Sequence, residues 1–144
     1  MSGSSIGAGG VTGRLAMGDV RIAVVGAGLI GQQHIDRVTR EPGAVLAAIA
    51  DPTEAAKELA ASLGTEWFPD MSAMLPSARP DAVIIATPNQ LHVANGLEAV
   101  AAGLPMLIEK PVAEDVASGR RLVEAAEAAG VPLLVGHHRR HDSL

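Results

Sequence analysis

The sequence predicts an α/β protein built as a doubly wound parallel sheet with helices on both faces, in three α/β/α layers. Two observations carry this. From Val20 onward, short β-branched runs alternate with longer Ala-rich segments of helical period, the pattern of strands buried on both faces and separated by crossover helices. The first such strand also runs directly into Gly26-Ala27-Gly28-Leu29-Ile30-Gly31 and a helix, the opening of a dinucleotide-binding βαβ unit.

Taken in chain order, strands are expected near 20–25, 44–50, 66–68, 81–86, 105–109 and 132–135, and helices near 28–40, 53–63, 71–76, 90–102 and 114–129. Punctuation supports these limits. Gly64, Gly103 and Gly130 stand where helix ends call for a left-handed residue, and Pro105 and Pro132 follow two of them. Asp51-Pro52-Thr53-Glu54 reads as a helix start, with Asp51 as N-cap, Pro52 at the first position and Glu54 at the third. Right-handed crossovers then favour the strand order 3-2-1-4-5-6, which places ligands at the carboxyl ends of strands 1 and 4.

At 144 residues and 48% hydrophobic, the chain has material for one ordinary core. The expected division is a Gly/Ser-rich leader over 1–19, a dinucleotide-binding domain over 20–136, and the start of a linker over 137–144. The leader holds six of the 16 glycines and contains Gly7-Ala8-Gly9-Gly10, which resembles a phosphate loop but follows no strand that could hold it against a sheet. Trp67 and Phe68 are the sole aromatics and the formal charge is -5, which excludes base-stacking platforms and a phosphate-tracking basic face, so no nucleic-acid partner is expected. No apolar run approaches the length of a membrane span, the first residues show no basic stretch followed by an apolar one, and there is no cysteine; the expectation is a cytoplasmic protein. His137, His138 and His141 cluster near the end without an acidic or thiol companion, so no metal site is expected.

The glycine turn divides its labour among three residues. Gly26 allows a tight turn, Gly28 lets the backbone approach a pyrophosphate, and Gly31 lets the helix pack on the sheet. The anion meets the helix N-terminus, where Ala27, Leu29 and Ile30 complete the loop and free N–H groups favour negative charge. Asp51 ends strand 2, 20 residues after Gly31, where a carboxylate accepts adenosine ribose hydroxyls and repels a 2′-phosphate; NAD is favoured over NADP. A cap-only role for Asp51 is the competing reading.

Two further loops are more specific. Ala86-Thr87-Pro88-Asn89-Gln90-Leu91-His92 after strand 4 and Glu109-Lys110-Pro111 after strand 5 resemble signatures of the glucose-fructose oxidoreductase and inositol dehydrogenase (Gfo/Idh/MocA) family. His34 and Gly136-His137-His138-Arg139-Arg140 also fit that likeness, which runs from about Val20 to the last residue. The resemblance implies cofactor contacts at Thr87, Pro88, Asn89 and His92, a nicotinamide-ribose ligand at Glu109 and the active-site lysine at Lys110. A lysine there polarises a substrate hydroxyl or stabilises a developing alkoxide. From the residues alone, a solvated pair at a proline-stopped strand end is the competing reading of Glu109-Lys110, and His34 reads as a packing or surface residue.

The resemblance further implies a second α/β domain that supplies most substrate contacts and a catalytic Asp and His, with a homo-oligomer formed through it. That domain is expected to begin where this sequence stops. Two functions follow: the NAD(P)-binding half of an oxidoreductase that moves hydride between a nicotinamide cofactor and a sugar, polyol or related alcohol, with this chain inactive alone, or a stand-alone dinucleotide-binding module without catalysis. An adenosine-binding methyltransferase is weaker, because Glu109-Lys110-Pro111 has no part in it.

Overall fold

The computed structural model describes residues 18–136. The expected leader up to Met17 and the His137, His138 and His141 cluster lie outside the described residues. Six parallel strands run β1 (Val20–Val25), β2 (Ala44–Ala50), β3 (Glu66–Phe68), β4 (Ala82–Ile85), β5 (Met106–Glu109) and β6 (Leu133–Gly136). They are ordered β3-β2-β1-β4-β5-β6, the predicted doubly wound arrangement. Helices α1 (Leu29–Arg40), α2 (Glu54–Leu63), α3 (Met71–Ala78), α4 (His92–Ala101) and α5 (Val116–Ala129) make the crossovers.

Side-chain alternation along the strands divides the core in two. Val24 and Ile49 pack with Ile35 of α1 and Ala56 and Ala60 of α2. Ala23, Val25, Ile85 and Ile108 point the other way, onto Met71 and Met74 of α3, Ala99 of α4 and Leu122 of α5. Burial deepens toward the carboxyl ends of the central strands, with Val20 exposed and Ala23 and Val24 fully buried. The strand ends that carry the candidate site therefore rest on the best-packed part of the sheet.

Most boundaries fall within a residue or two of expectation, and three differences have clear causes. Helix α3 continues past Pro76 to Ala78, because Met71, Met74 and Ala78 form one buried face while Pro76 lies on the exposed side, where water can take up the hydrogen bond that proline forgoes. The segment after β4 begins with a 3-10 turn, Asn89–Leu91, before α4. Helix α2 is capped by Thr53, whose hydroxyl accepts from the Ala56 N–H; the Asp51 carboxylate is engaged elsewhere. Gly64, Gly103 and Gly130 all adopt positive φ, as their positions predicted. Among the described residues, no helix is long and apolar enough to cross a membrane.

Candidate cofactor site

The glycine turn leaves β1 with Gly26 at φ +96°. A Cβ there would collide with the Ala86 carbonyl at the end of β4, and one at Gly31 would collide with the Gly26 carbonyl. Both glycines are therefore required by the protein's own packing, which seats α1 directly on the sheet. Gly28 differs: a Cβ built on it meets nothing within 4 Å, and its φ of -74° is open to any residue. It is the N-cap of α1 and supplies no side-chain cap to the first N–H groups of the helix. The fold itself does not require a glycine at this position, and a pyrophosphate fits at such a helix N-terminus.

Asp51 stands beside this turn. Its Oδ2 accepts from the Ala27 N–H at 2.8 Å, and its Oδ1 accepts from the Thr53 N–H at 2.8 Å and the Thr53 hydroxyl at 2.6 Å. The cap-only reading is thus corrected, because the carboxylate links the glycine turn to the start of α2 and leaves the cap to Thr53. Burial raises its pKa, but the hydrogen bonds from the Thr53 hydroxyl and the Ala27 and Thr53 N–H groups outweigh this and hold it below the usual carboxylate value. The Asp51 backbone is fixed on both sides, its N–H donating to the Phe68 carbonyl and its own carbonyl accepting from the Trp67 indole. A cavity of about 440 Å³ opens here, lined by Gly26, Asp51, Thr53, Met71, Pro88 and Leu91 among others. Asp51 is half-buried and lines this cavity, and an adenosine fits such a largely apolar recess with one acidic edge.

The loop after β4 closes the other wall. Thr87 and Pro88 line the cavity, and the Thr87 hydroxyl donates to Asn95 Oδ1 at 2.9 Å. Asn89 opens the 3-10 turn and is exposed. His92 is 1% exposed, with Nε2 2.8 Å from the Thr87 carbonyl and Nδ1 2.7 Å from the Pro111 carbonyl. This corrects the expectation of a direct cofactor contact: both ring nitrogens already face main-chain oxygens, and the ring staples the two loops together from beneath.

At the end of β5, Glu109 is buried and its Oε1 lies 2.6 Å from His34 Nε2 of α1. Lys110 follows, exposed, with a cis peptide bond to Pro111. Neither is the freely solvated pair that the sequence left open, since Glu109 has little contact with water. His34 is the residue that sequence reasoning undervalued. Its signal was present, because Gly31, Ile35 and Val38 mark the buried face of α1 and His34 sits three residues past Gly31 on that side. Asn95, Met71 and Leu91 of the cavity wall were also missed, their types carrying no distinctive chemistry.

Residues 20–137 match the GFO_IDH_MocA family, described as an oxidoreductase family with an NAD-binding Rossmann fold. The chain belongs to the Gfo/Idh/MocA family. Inositol 2-dehydrogenase of Leifsonia xyli subsp. xyli is 39% identical over 127 residues, covering 86% of this chain and 38% of that protein. The apo scyllo-inositol dehydrogenase of Lactobacillus casei superposes with a TM-score of 0.83 at 28% identity, over 88% of this chain and 38% of the other. The WlbA dehydrogenase of Bordetella pertussis, solved with NADH and UDP-GlcNAcA, gives 0.81 at 34% identity, over 85% and 36%. The chain thus spans less than two-fifths of the length of these Gfo/Idh/MocA relatives and corresponds to their NAD-binding domain.

Proposed function

We propose that this chain is the NAD-binding part of a dehydrogenase that moves hydride between NAD and a sugar, polyol or related alcohol. The observation that carries the reading is the placement of Asp51, whose ionised carboxylate is tied to the Ala27 N–H of the glycine turn and open to the cavity. Gly28 and the N–H groups of the first turn of α1 hold the pyrophosphate. Asp51 accepts the adenosine ribose hydroxyls, and its negative charge disfavours a 2′-phosphate, so NAD is preferred to NADP. Thr87, Pro88 and Asn89 flank the cofactor, and Glu109 serves the nicotinamide ribose.

When bound, NAD supplies a two-electron acceptor for the hydride that leaves an alcohol carbon as it becomes a carbonyl. Lys110 donates a hydrogen bond to the alcohol oxygen and stabilises the negative charge that grows there. The hydroxyl proton passes to a base supplied by polypeptide beyond the described domain, where the pocket that selects the substrate also belongs. The relatives' names, inositol 2-dehydrogenase and a dehydrogenase solved with a nucleotide sugar, support a small polyhydroxylated substrate. They also weigh against a module without catalysis. The reading carries a cytoplasmic location, no nucleic-acid partner, and an oligomer formed outside this domain.

Fluorescence titration of the chain with NADH, NADPH and S-adenosylmethionine tests the core of this. Saturable NADH binding, tighter than NADPH by tenfold or more, is expected. Preference for NADPH or S-adenosylmethionine would sink the proposal.

A further inference from the structure

The contact between His34 and Glu109 joins two elements that are not neighbours in the sheet. His34 rides on α1, which follows β1, while Glu109 ends β5, with β4 between them. The reach is possible because Gly26 and Gly31 let α1 sit against the end of β4, where a Gly31 Cβ would stand 3.8 Å from that of Ala86. From there the imidazole passes over the end of β4, and its Nε2 meets Glu109 Oε1 at 2.6 Å. Both side chains are largely withdrawn from water, at 16% and 10% exposure.

A second feature points to the same carboxylate. Gly136 lies beside Glu109 in the β5–β6 register, and a Cβ there would stand 2.9 Å from Oε1, 3.0 Å from Cδ and 3.2 Å from Oε2. The carboxylate is therefore set between an imidazole on one side and, on the other, a position where a Cβ would push it aside. A buried carboxylate held by a single hydrogen bond through one oxygen keeps acceptor capacity on the other. Among the described residues, no donor to Oε2 occurs within hydrogen-bond distance.

We infer that His34 and Gly136 are positioning residues that fix the Glu109 carboxylate, His34 by donating to Oε1 and Gly136 by leaving it room, so that Oε2 is presented to the nicotinamide-ribose hydroxyls. This rests on the reading of Glu109 as a ribose ligand under Proposed function. Helix α1 thereby acts at both ends of the cofactor, since its N-terminus holds the pyrophosphate while its second turn sets the nicotinamide ribose. Glutamine can replace the Nε2 donor, whereas phenylalanine keeps the ring and removes it.

The test is calorimetric titration of the chain with NAD and, separately, with ADP, which lacks the nicotinamide ribose. His34→Phe is expected to weaken NAD binding about tenfold, in the range for a hydrogen bond to a charged group, and to leave ADP affinity within about twofold. His34→Gln should recover most of the loss, and Gly136→Ala should reproduce it with ADP binding kept. If His34→Phe does not fold, the glutamine and alanine variants carry the comparison. Equal losses for NAD and ADP, or unchanged NAD affinity in both His34→Phe and Gly136→Ala while Glu109→Ala weakens it, would overturn the inference. Unchanged NAD affinity in Glu109→Ala would instead remove the ribose role of Glu109 on which it rests.

Discussion

Replacing Asp51 by alanine separates its structural and binding roles, and the structure sets a magnitude for each. The carboxylate accepts three hydrogen bonds, from the Ala27 N–H, the Thr53 N–H and the Thr53 hydroxyl. Thr53 is exposed, so water replaces its two bonds at little cost. Ala27 is buried, 8% exposed, and orphaning its N–H costs roughly 1–3 kcal/mol. Stability should therefore fall by about 2 kcal/mol, measured by urea denaturation. Cofactor affinity should fall as well, since the ribose hydroxyls lose a charged acceptor worth ~1–3 kcal/mol, or about 5- to 150-fold in Kd by NADH titration. Asp51→Asn sharpens the comparison: its amide oxygen can still accept from Thr53, but its NH₂ would face the Ala27 N–H, so it should lose nearly as much stability. Lost stability with NADH affinity within twofold of the parent would leave Asp51 a purely structural tie. Unchanged stability would show that the Ala27 bond contributes nothing.

Three more outcomes follow from the same geometry. Gly28→Ala should leave the thermal midpoint within a few degrees of the parent, because its Cβ enters open space, yet weaken NADH binding at least fivefold. Gly31→Ala should unfold the domain or cost several kcal/mol, as its Cβ would overlap the Gly26 carbonyl; equal behaviour of the two variants would refute the division of roles. Because the folded pKa of Asp51 lies below its ordinary value, its stabilisation is complete above about pH 5 and is lost as pH falls below about 4. Urea curves of the parent and Asp51→Ala should accordingly converge as pH falls below about 4, and a gap that stays constant would contradict the sign. In a full-length protein with the proposed dehydrogenase activity, Lys110→Met should lower kcat at least a hundredfold with NAD affinity within twofold, and near-normal turnover would take Lys110 out of the chemistry.

What the residues determined by themselves was the architecture. Short β-branched runs alternating with Ala-rich segments of helical period, with Gly64, Gly103 and Gly130 as punctuation, specify which segments are strands and helices. The handedness of crossovers then leaves few sheet orders to consider, and β3-β2-β1-β4-β5-β6 is the one observed. The glycine turn, Asp51 and the Thr87 and Glu109 loops could be located because each is a residue type at a set distance from a strand end.

Tertiary structure decided where one element lends a side chain to another. The competing reading of Asp51 as a helix cap falls only when the turn after β1 brings the Ala27 N–H to its carboxylate and Thr53 takes the cap. His92 reads as a ligand until the fold sets its nitrogens against the Thr87 and Pro111 carbonyls. His34 and Glu109 lie 75 residues apart and meet only because two glycines let α1 settle onto the sheet. Helix and strand periods encode which face of an element is buried, whereas a hydrogen bond across elements depends on ångström-level packing, which no single segment encodes.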